Sequence, residues 1–129
     1  MPDYDKVESS GNIENQPGSN ARRDSRTGKG RFDLISPHTM HRIAKHFESG
    51  AVKYGDNNWV HGMNFSRYLD SAERHINCWK LGMKNEDHLA AAIWNLMAIV
   101  DHEERIEKGL MDPKFADMPL NYEDFNKKT

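Results

Sequence analysis

The residues of this chain that could do chemistry are cations, aromatic rings and amides, gathered in four short segments. Seven side chains could meet phosphate oxygens: Lys29, Arg31, Lys53, Arg67, Arg74, His75 and His88. The rings that could stack on a base are Tyr54, Trp59, Trp79 and Trp94, and the amides that could bond its edge are Asn57, Asn58 and Asn95. Phosphate needs cations, and a base needs rings and hydrogen-bonding groups. The inventory therefore favours a nucleotide site that needs no metal.

The same residues could serve the fold instead. Tyr54 and Trp59 could plug the end of a helix bundle, and Arg74 and His75 could form caps or salt bridges. The loop around Gly28 and Gly30 has the wrong spacing for a Walker loop. It is either a phosphate contact or a linker into the fold.

A metal-dependent pyrophosphohydrolase is the first alternative. Such a site needs about four carboxylates on facing helices to hold Mg²⁺ or Mn²⁺. The candidates are Asp70, Glu73, Glu86 and Asp87. Asp70 and Glu73 can share a helix face, but Glu86 and Asp87 are adjacent and no fourth acid is in register. Turnover is therefore not favoured, and we expect a metal only if the protein is an enzyme.

Histidines offer a second alternative, a His–Asp phosphohydrolase site. That site needs consecutive His-Asp residues, whereas this chain has the reversed pair Asp87-His88 between His75 and Asp101. Adjacent helical residues point about 100° apart, so the reversal moves each ligand to another face. His38, His41 and His46 fall around one helix and do not predict a metal site.

Hydrophobic spacing predicts three helices that would carry these groups, over residues 37–49, 65–81 and 86–108. Ser36 and Pro37 start the first helix, and Asn64 and Asn85 can cap the second and third. Gly82 suits the left-handed position after the second helix. The third helix is apolar over most of its surface, with one face formed by Leu89, Ile93, Leu96, Met97 and Val100. This helix is predicted to be central or to lie between subunits.

Composition bounds the rest of the prediction. The chain has 129 residues with a net charge of −2 and one cysteine, which disfavours a general nucleic-acid binder, a membrane-surface protein and an internal disulfide. We predict an all-α, oligomeric protein with a three-helix core and an ordered irregular segment between the first two helices. The domains would be a flexible N-terminal arm (1–26), a helical nucleotide-binding domain (27–109) and a strapping C-terminal tail (110–129).

Four sequence blocks, taken in order, carry a resemblance to a known family: GKGRFDLI, GAVKYGDNNW, RYLDSAERHINCW and EDHLAAAIWN. They resemble the phage-associated family named for the N-terminal domain of dATP/dGTP diphosphohydrolases. The resemblance implies handling of purine deoxynucleotides in the cytoplasm of an infected bacterial host. The matching positions are Lys29, Arg31, Asp33, Lys53, Tyr54, Gly55, Asn58, Trp59, Arg74, His75, His88, Trp94 and Asn95. Where the family has a further histidine about four residues after His88, this chain has Ala92.

In longer members of that family, a pyrophosphohydrolase domain follows, and this chain ends at Thr129 without one. We therefore expect a protein that sequesters a purine or signalling nucleotide with little turnover. A metal-dependent dATP/dGTP diphosphohydrolase that releases the monophosphate is the alternative. The expected ligand-binding residues are Lys29, Arg31, Lys53, Tyr54, Asn58, Trp59, Arg74, His75, His88, Trp94 and Asn95.

Overall fold

The structure is a computed structural model that describes residues 11–123. The chain divides into two compact units, Met1–Ile35 and Ser36–Thr129. The three predicted helices are present in the second unit, so the protein is mostly helical. None of the described helices has the length and apolarity needed to cross a membrane.

A β-hairpin in the first unit stands where the sequence predicted an arm. Strands β1 (Ile13–Asn15) and β2 (Arg22–Asp24) pair antiparallel, with Ile13 opposite Asp24. Pro17 and Gly18 make the turn, in which Gly18 has a φ of 74° and the Ser19 N–H donates to the Gln16 carbonyl at 3.2 Å. Pro followed by Gly is the preferred pair for a type II turn, a signal that the prediction passed over. The part of the predicted arm over residues 1–10 lies outside the described residues.

Helix α1 (Pro37–Tyr54) begins as predicted but is longer. The Ser36 hydroxyl accepts from the Thr39 N–H at 3.3 Å, and Pro37 occupies the first turn. The predicted end at residue 49 is wrong, because Gly50 keeps a helical backbone and the chain leaves the helix at Gly55, with φ 90°. A glycine within a helix costs about 1 kcal/mol relative to alanine, which packing of α1 against α3 can offset.

Helix α2 (Phe65–Lys80) is capped from a distance. No capping bond from the Asn64 side chain is present in the described structure, contrary to the prediction. The Ser66 N–H instead donates to Asp117 Oδ1 at 2.9 Å, and the Ser66 hydroxyl donates to the other oxygen of that carboxylate. At the opposite end Gly82 has the predicted positive φ, and the Met83 N–H donates to the Cys78 carbonyl at 3.1 Å, as in a Schellman motif.

Helix α3 (His88–Glu107) starts two residues later than predicted. Asp87, and not Asn85, is its cap and accepts from the Ala90 N–H at 3.1 Å. The helix packs against both α1 and α2. The side that faces the core is mainly small, with Ala90, Ala91, Ala92 and Ala98 buried.

The large apolar face of α3 is turned away from that core. Ile93, Leu96, Met97 and Val100 remain 37–64% exposed within the chain. Small side chains let the neighbouring helices approach α3 closely, so the alanine side forms the intramolecular contact. The large residues are available for a contact with another surface.

Candidate functional site

A cleft of about 820 Å³ opens in the second unit among α1, the Asn58–His61 turn, α2 and α3. Its volume lies within the range of about 300–1,000 Å³ that is usual for small-molecule sites. Six of the residues expected to bind a ligand line it: Tyr54, Asn58, Trp59, Arg74, Trp94 and Asn95. The structure thus brings together groups from three of the four sequence blocks.

One wall of the cleft is the segment between α1 and α2, shaped by positive backbone φ angles. Gly55 and Gly62 both have φ 90°, and Asn57 has φ 60°, which asparagine tolerates better than most side chains. A Cβ atom on Gly62 would lie 2.7 Å from the ring of Phe115, so this glycine permits a close approach by the C-terminal segment. The glycines are therefore needed to place Asn58 and Trp59 at the cleft.

Aromatic rings form the apolar side of the cleft. The ring centroid of Trp94 lies 6.0 Å from that of Phe47 and 6.1 Å from that of Tyr68, both in edge-on geometry. Phe47 also meets Trp59 at 6.0 Å, and His46 lies 5.4 Å from Trp94. Edge-to-face packing holds rings in fixed orientations, so the apolar wall of the cleft is rigid.

A buried polar chain supports this wall. The fully buried His102 ring stacks on Trp59 at 6.2 Å with 8° between planes. Asp101 Oδ2 lies 3.1 Å from His102 Nδ1, so that nitrogen carries the proton and Nε2 accepts from the Tyr68 hydroxyl at 2.8 Å. Burial, and then the charge of Asp101, raise the pKa of Tyr68 to about 12. Tyr68 is thus a neutral donor that ties α2 to α3.

Two arginines from α2 supply positive charge. Arg67, Ser71 and Arg74 are spaced four and three residues apart, so they share one helix face, and all three line the cleft. Arg74 donates to Asp70 Oδ2 at 3.0 Å, whereas Arg67 has no ion pair within residues 11–123. Lys53 holds its ammonium 5.3 Å from the centroid of the Tyr54 ring.

Asn95 adds a hydrogen-bonding group at the cleft floor. It is 5% exposed, and its amide nitrogen donates to the Ala91 carbonyl at 2.8 Å. That bond orients the amide, since a carbonyl can only accept. Its Oδ1 makes no hydrogen bond with any residue that the structure describes, which leaves an acceptor for a ligand.

His75 and His88 belong to a separate cluster at the turn between α2 and α3. Their Nδ1 atoms are 2.9 Å apart, and Glu86 Oε1 lies 3.4 Å from the first and 3.5 Å from the second. His88 is buried, whereas the Glu86 side chain is half exposed. Burial lowers the pKa of His75, and the charge of Glu86 opposes that shift. Neither ring is among the residues that line the cleft.

Three of the four carboxylates proposed as metal ligands, Asp70, Glu86 and Asp87, each contact different partners. Asp70 pairs with Arg74, and Asp87 accepts from the Arg42 guanidinium at 2.6 and 2.7 Å. Those hydrogen bonds are the main reason that the pKa of Asp87 falls to about 2. Within residues 11–123, Glu86 is the one member of the quartet that joins a group of three potential metal ligands, and its companions are histidines.

Lys29 and Arg31 lie in the first unit. Arg31 donates from Nε and Nη2 to the two oxygens of Asp33, each at 2.8 Å, and both side chains are about half exposed. Gly28 and Gly30 have positive φ and shape a shallow concavity of this loop together with Arg26 and Arg31. A role for the loop at a phosphate stays a prediction.

Several cleft residues were not predicted as part of a site. Phe47, Tyr68 and Ser71 were not among the expected site residues, and His46 was considered only for a metal site that the sequence did not predict. Phe47, Ala51 and Tyr54 fall four and three residues apart, on one face of α1. Continuing that helix to Tyr54 would have exposed this pattern, which the predicted stop at residue 49 concealed.

Comparison with known proteins places this helical unit in a nucleotide-related class. A family model described as dATP/dGTP diphosphohydrolase, N-terminal, matches residues 19–113, which include all three helices and every residue that lines the cleft. The chain belongs to this family, as its sequence blocks indicated. No curated protein and no solved structure matches it.

Proposed function

We propose that the second unit binds a purine deoxynucleotide in its cleft and retains it with little turnover. The observation that supports this most directly is the pairing of an aromatic wall with two arginines on one helix face, in a cleft of about 820 Å³. The family description, which names dATP and dGTP, supports the choice of a purine deoxynucleotide.

Each part of such a ligand has a matching group. Arg67 and Arg74 would donate hydrogen bonds to phosphate oxygens. Arg74 would first have to break its ion pair with Asp70, whereas Arg67 has no ion pair among the described residues. The Oδ1 of Asn95 would accept from an exocyclic amine of the base. The rings of Tyr54, Trp59 and Trp94 would pack against the base.

Retention without turnover follows from the surroundings of the carboxylates. Mg²⁺-dependent hydrolysis needs acids that hold the metal and orient water. Asp70 and Asp87 are instead engaged by arginines. A binder with this site would act as a sponge for a nucleotide, including a signalling nucleotide, in the cytoplasm of a phage-infected bacterium.

Turnover is the second candidate function, and one observation favours it. The His75–Glu86–His88 cluster follows directly on Arg74 in the sequence, and the charge of His75 also acts on His46 of the cleft. A metal at this cluster would lie beside the cleft. A dATP/dGTP diphosphohydrolase could then use this metal in place of Mg²⁺ held by four carboxylates.

A release experiment separates the two functions. The full chain is incubated with deoxynucleoside triphosphates, ribonucleotides and cyclic nucleotides, in Mg²⁺, Mn²⁺ or EDTA, and is then heat-denatured for mass spectrometry. We expect stoichiometric recovery of an intact purine nucleotide from all three buffers. Conversion of dATP or dGTP to the monophosphate beyond one equivalent, and its loss in EDTA, would establish the enzyme instead.

Variants of α2 test whether the cleft is the site. Arg67→Gln and Arg74→Gln each remove a charge-assisted hydrogen bond, so we expect nucleotide affinity to fall about tenfold or more by isothermal titration calorimetry. Lys45→Gln removes a charge from α1 away from the cleft lining and serves as the control. Equal affinities in all three variants would remove the two arginines from the site.

A further inference from the structure

The cluster of His75, Glu86 and His88 has the composition and spacing of a metal site. The three donor atoms that converge are two imidazole Nδ1 atoms and one carboxylate oxygen, separated by 2.9, 3.4 and 3.5 Å. A circle through atoms at these separations has a radius of about 1.9 Å, close to the usual bond length of about 2.0–2.2 Å from zinc to nitrogen or oxygen. One ion could therefore contact all three atoms from just above their plane.

Asn85 orients the ring of His88 and fixes the tautomer that could bind a metal. The Asn85 Oδ1 lies 2.9 Å from His88 Nε2, and because an amide oxygen can only accept, Nε2 carries the ring proton. In the tautomer that carries its proton on Nε2, the Nδ1 of His88 presents a lone pair toward His75 and Glu86. A bond from the second ring nitrogen to a protein oxygen is the arrangement that orients metal-ligating histidines.

Without an ion, the three converging atoms have too few hydrogens to form hydrogen bonds with one another. His88 Nδ1 and Glu86 Oε1 both accept, so a single Nδ1–H on His75 would have to serve both partners. His88 is 4% exposed, which leaves water little access to that lone pair. A cation would instead be bound by His88 Nδ1, by Glu86 Oε1 and by His75 Nδ1, with the proton of the neutral His75 ring on Nε2.

From this geometry, we infer that His75, Glu86 and His88 bind a divalent transition-metal ion of the zinc type through Nδ1, a carboxylate oxygen and Nδ1. Two imidazoles with a carboxylate favour Zn²⁺ or Co²⁺ over Mg²⁺, which prefers oxygen ligands. Three protein donors leave a coordination position open to water or to a ligand oxygen. The inference does not depend on nucleotide binding in the cleft.

Titration of the chelator-treated full chain with Zn²⁺ alone tests the site. We expect one tight equivalent by calorimetry, little competition from excess Mg²⁺, and a Co²⁺ absorption spectrum of a low-coordinate nitrogen and oxygen site. Glu86→Gln should weaken Zn²⁺ binding at least tenfold, and Asn85→Ala about 10–100-fold through the orientation of His88. Glu73→Gln and His41→Gln, exposed residues outside the cluster, are the matched controls.

Nitrogen NMR of the wild-type chain keeps the test independent of variants that fail to fold. On addition of Zn²⁺, the Nδ1 resonances of His75 and His88 should shift together, and Nε2 of His88 should remain protonated. Absence of a stoichiometric site, equal affinity in Glu86→Gln and Glu73→Gln, or zinc on other histidines would each overturn the inference. Because no nucleotide is present, none of these outcomes bears on the proposed cleft ligand.

Discussion

Asp87 performs two tasks with one carboxylate. Its Oδ1 accepts from the Ala90 N–H at the start of α3, and its two oxygens accept from the Arg42 guanidinium of α1. Negative charge at a helix N-terminus and a bidentate arginine both stabilise the ionised form. The pKa of Asp87 consequently falls to about 2, with the Arg42 hydrogen bonds as the largest cause.

The sign of this shift gives a testable pH dependence. A carboxyl whose pKa is lower in the folded state stabilises the fold above its unfolded pKa, and that contribution is lost as pH falls from about 4 toward 2. Asp87→Asn keeps a capping oxygen but removes the charge. We expect it to lower the free energy of unfolding at pH 7 by about 0.2–1 kcal/mol and to flatten the acid dependence.

Urea unfolding at pH 7 and near pH 3 measures both effects. Asp87→Ala also removes the cap and should cost about 0.5–2 kcal/mol more at pH 7. Glu103→Gln, an exposed acid on the same helix, controls for general loss of negative charge. The account is contradicted if Asp87→Asn loses as much stability on acidification as the wild-type chain.

Among the elements, α1 and the segment after it use glycine in opposite ways. Gly50 lies inside α1 with a helical backbone, and a Cβ atom there would meet nothing within 4 Å. Gly62 has φ 90° and faces the ring of Phe115 at close range. Gly50 can therefore be replaced without a steric clash, whereas Gly62 is needed to form the wall of the cleft.

Alanine at each position should therefore move stability in opposite directions. Gly50→Ala should raise the free energy of unfolding by up to about 1 kcal/mol, since alanine loses less backbone entropy in a helix. Gly62→Ala should lower it by about 1–3 kcal/mol, because it combines a strained φ with a clash. Chemical denaturation of the two variants measures both changes in the free energy of unfolding. A loss of stability in Gly50→Ala would contradict the interpretation that Gly50 can be replaced within α1.

At the scale of the whole molecule, the outward face of α3 is the largest unexplained feature. Ile93, Leu96, Met97 and Val100 are exposed along the helix, and Trp79 of α2 is 53% exposed. Large exposed apolar patches on a protein surface are typical of contacts with other proteins. We propose that a second copy of the chain covers it, in agreement with the oligomer expected from the sequence.

Multi-angle light scattering checks this proposal. The wild-type chain should be a homo-oligomer at micromolar concentration, and Val100→Glu should shift it toward the monomer, because a charge would have to be buried in the contact. Val52→Glu places the same change on an exposed valine of α1 and should leave the mass unchanged. A monomeric wild-type chain would exclude the oligomer outright.

Local signals in the sequence determined much about this protein. Spacing and residue type predict features that depend on interactions within a few residues. These features include the three helices, the Ser36 cap and the left-handed Gly82. The cationic, aromatic and amide residues of the cleft could also be selected by type. The family resemblance rests on the same local blocks and is confirmed by the family match.

Contacts between distant residues decided the rest. The capping bond of Asp87 is local, but the arginine that holds its carboxylate lies 45 residues away. Helix α2 is capped by an aspartate 51 residues away, which no local rule could choose over Asn64. Likewise, the approach of α2 to α3 decided that alanines face the core and that His75 meets His88. Close packing depends on the shapes of both partners, and a periodic pattern describes one helix at a time.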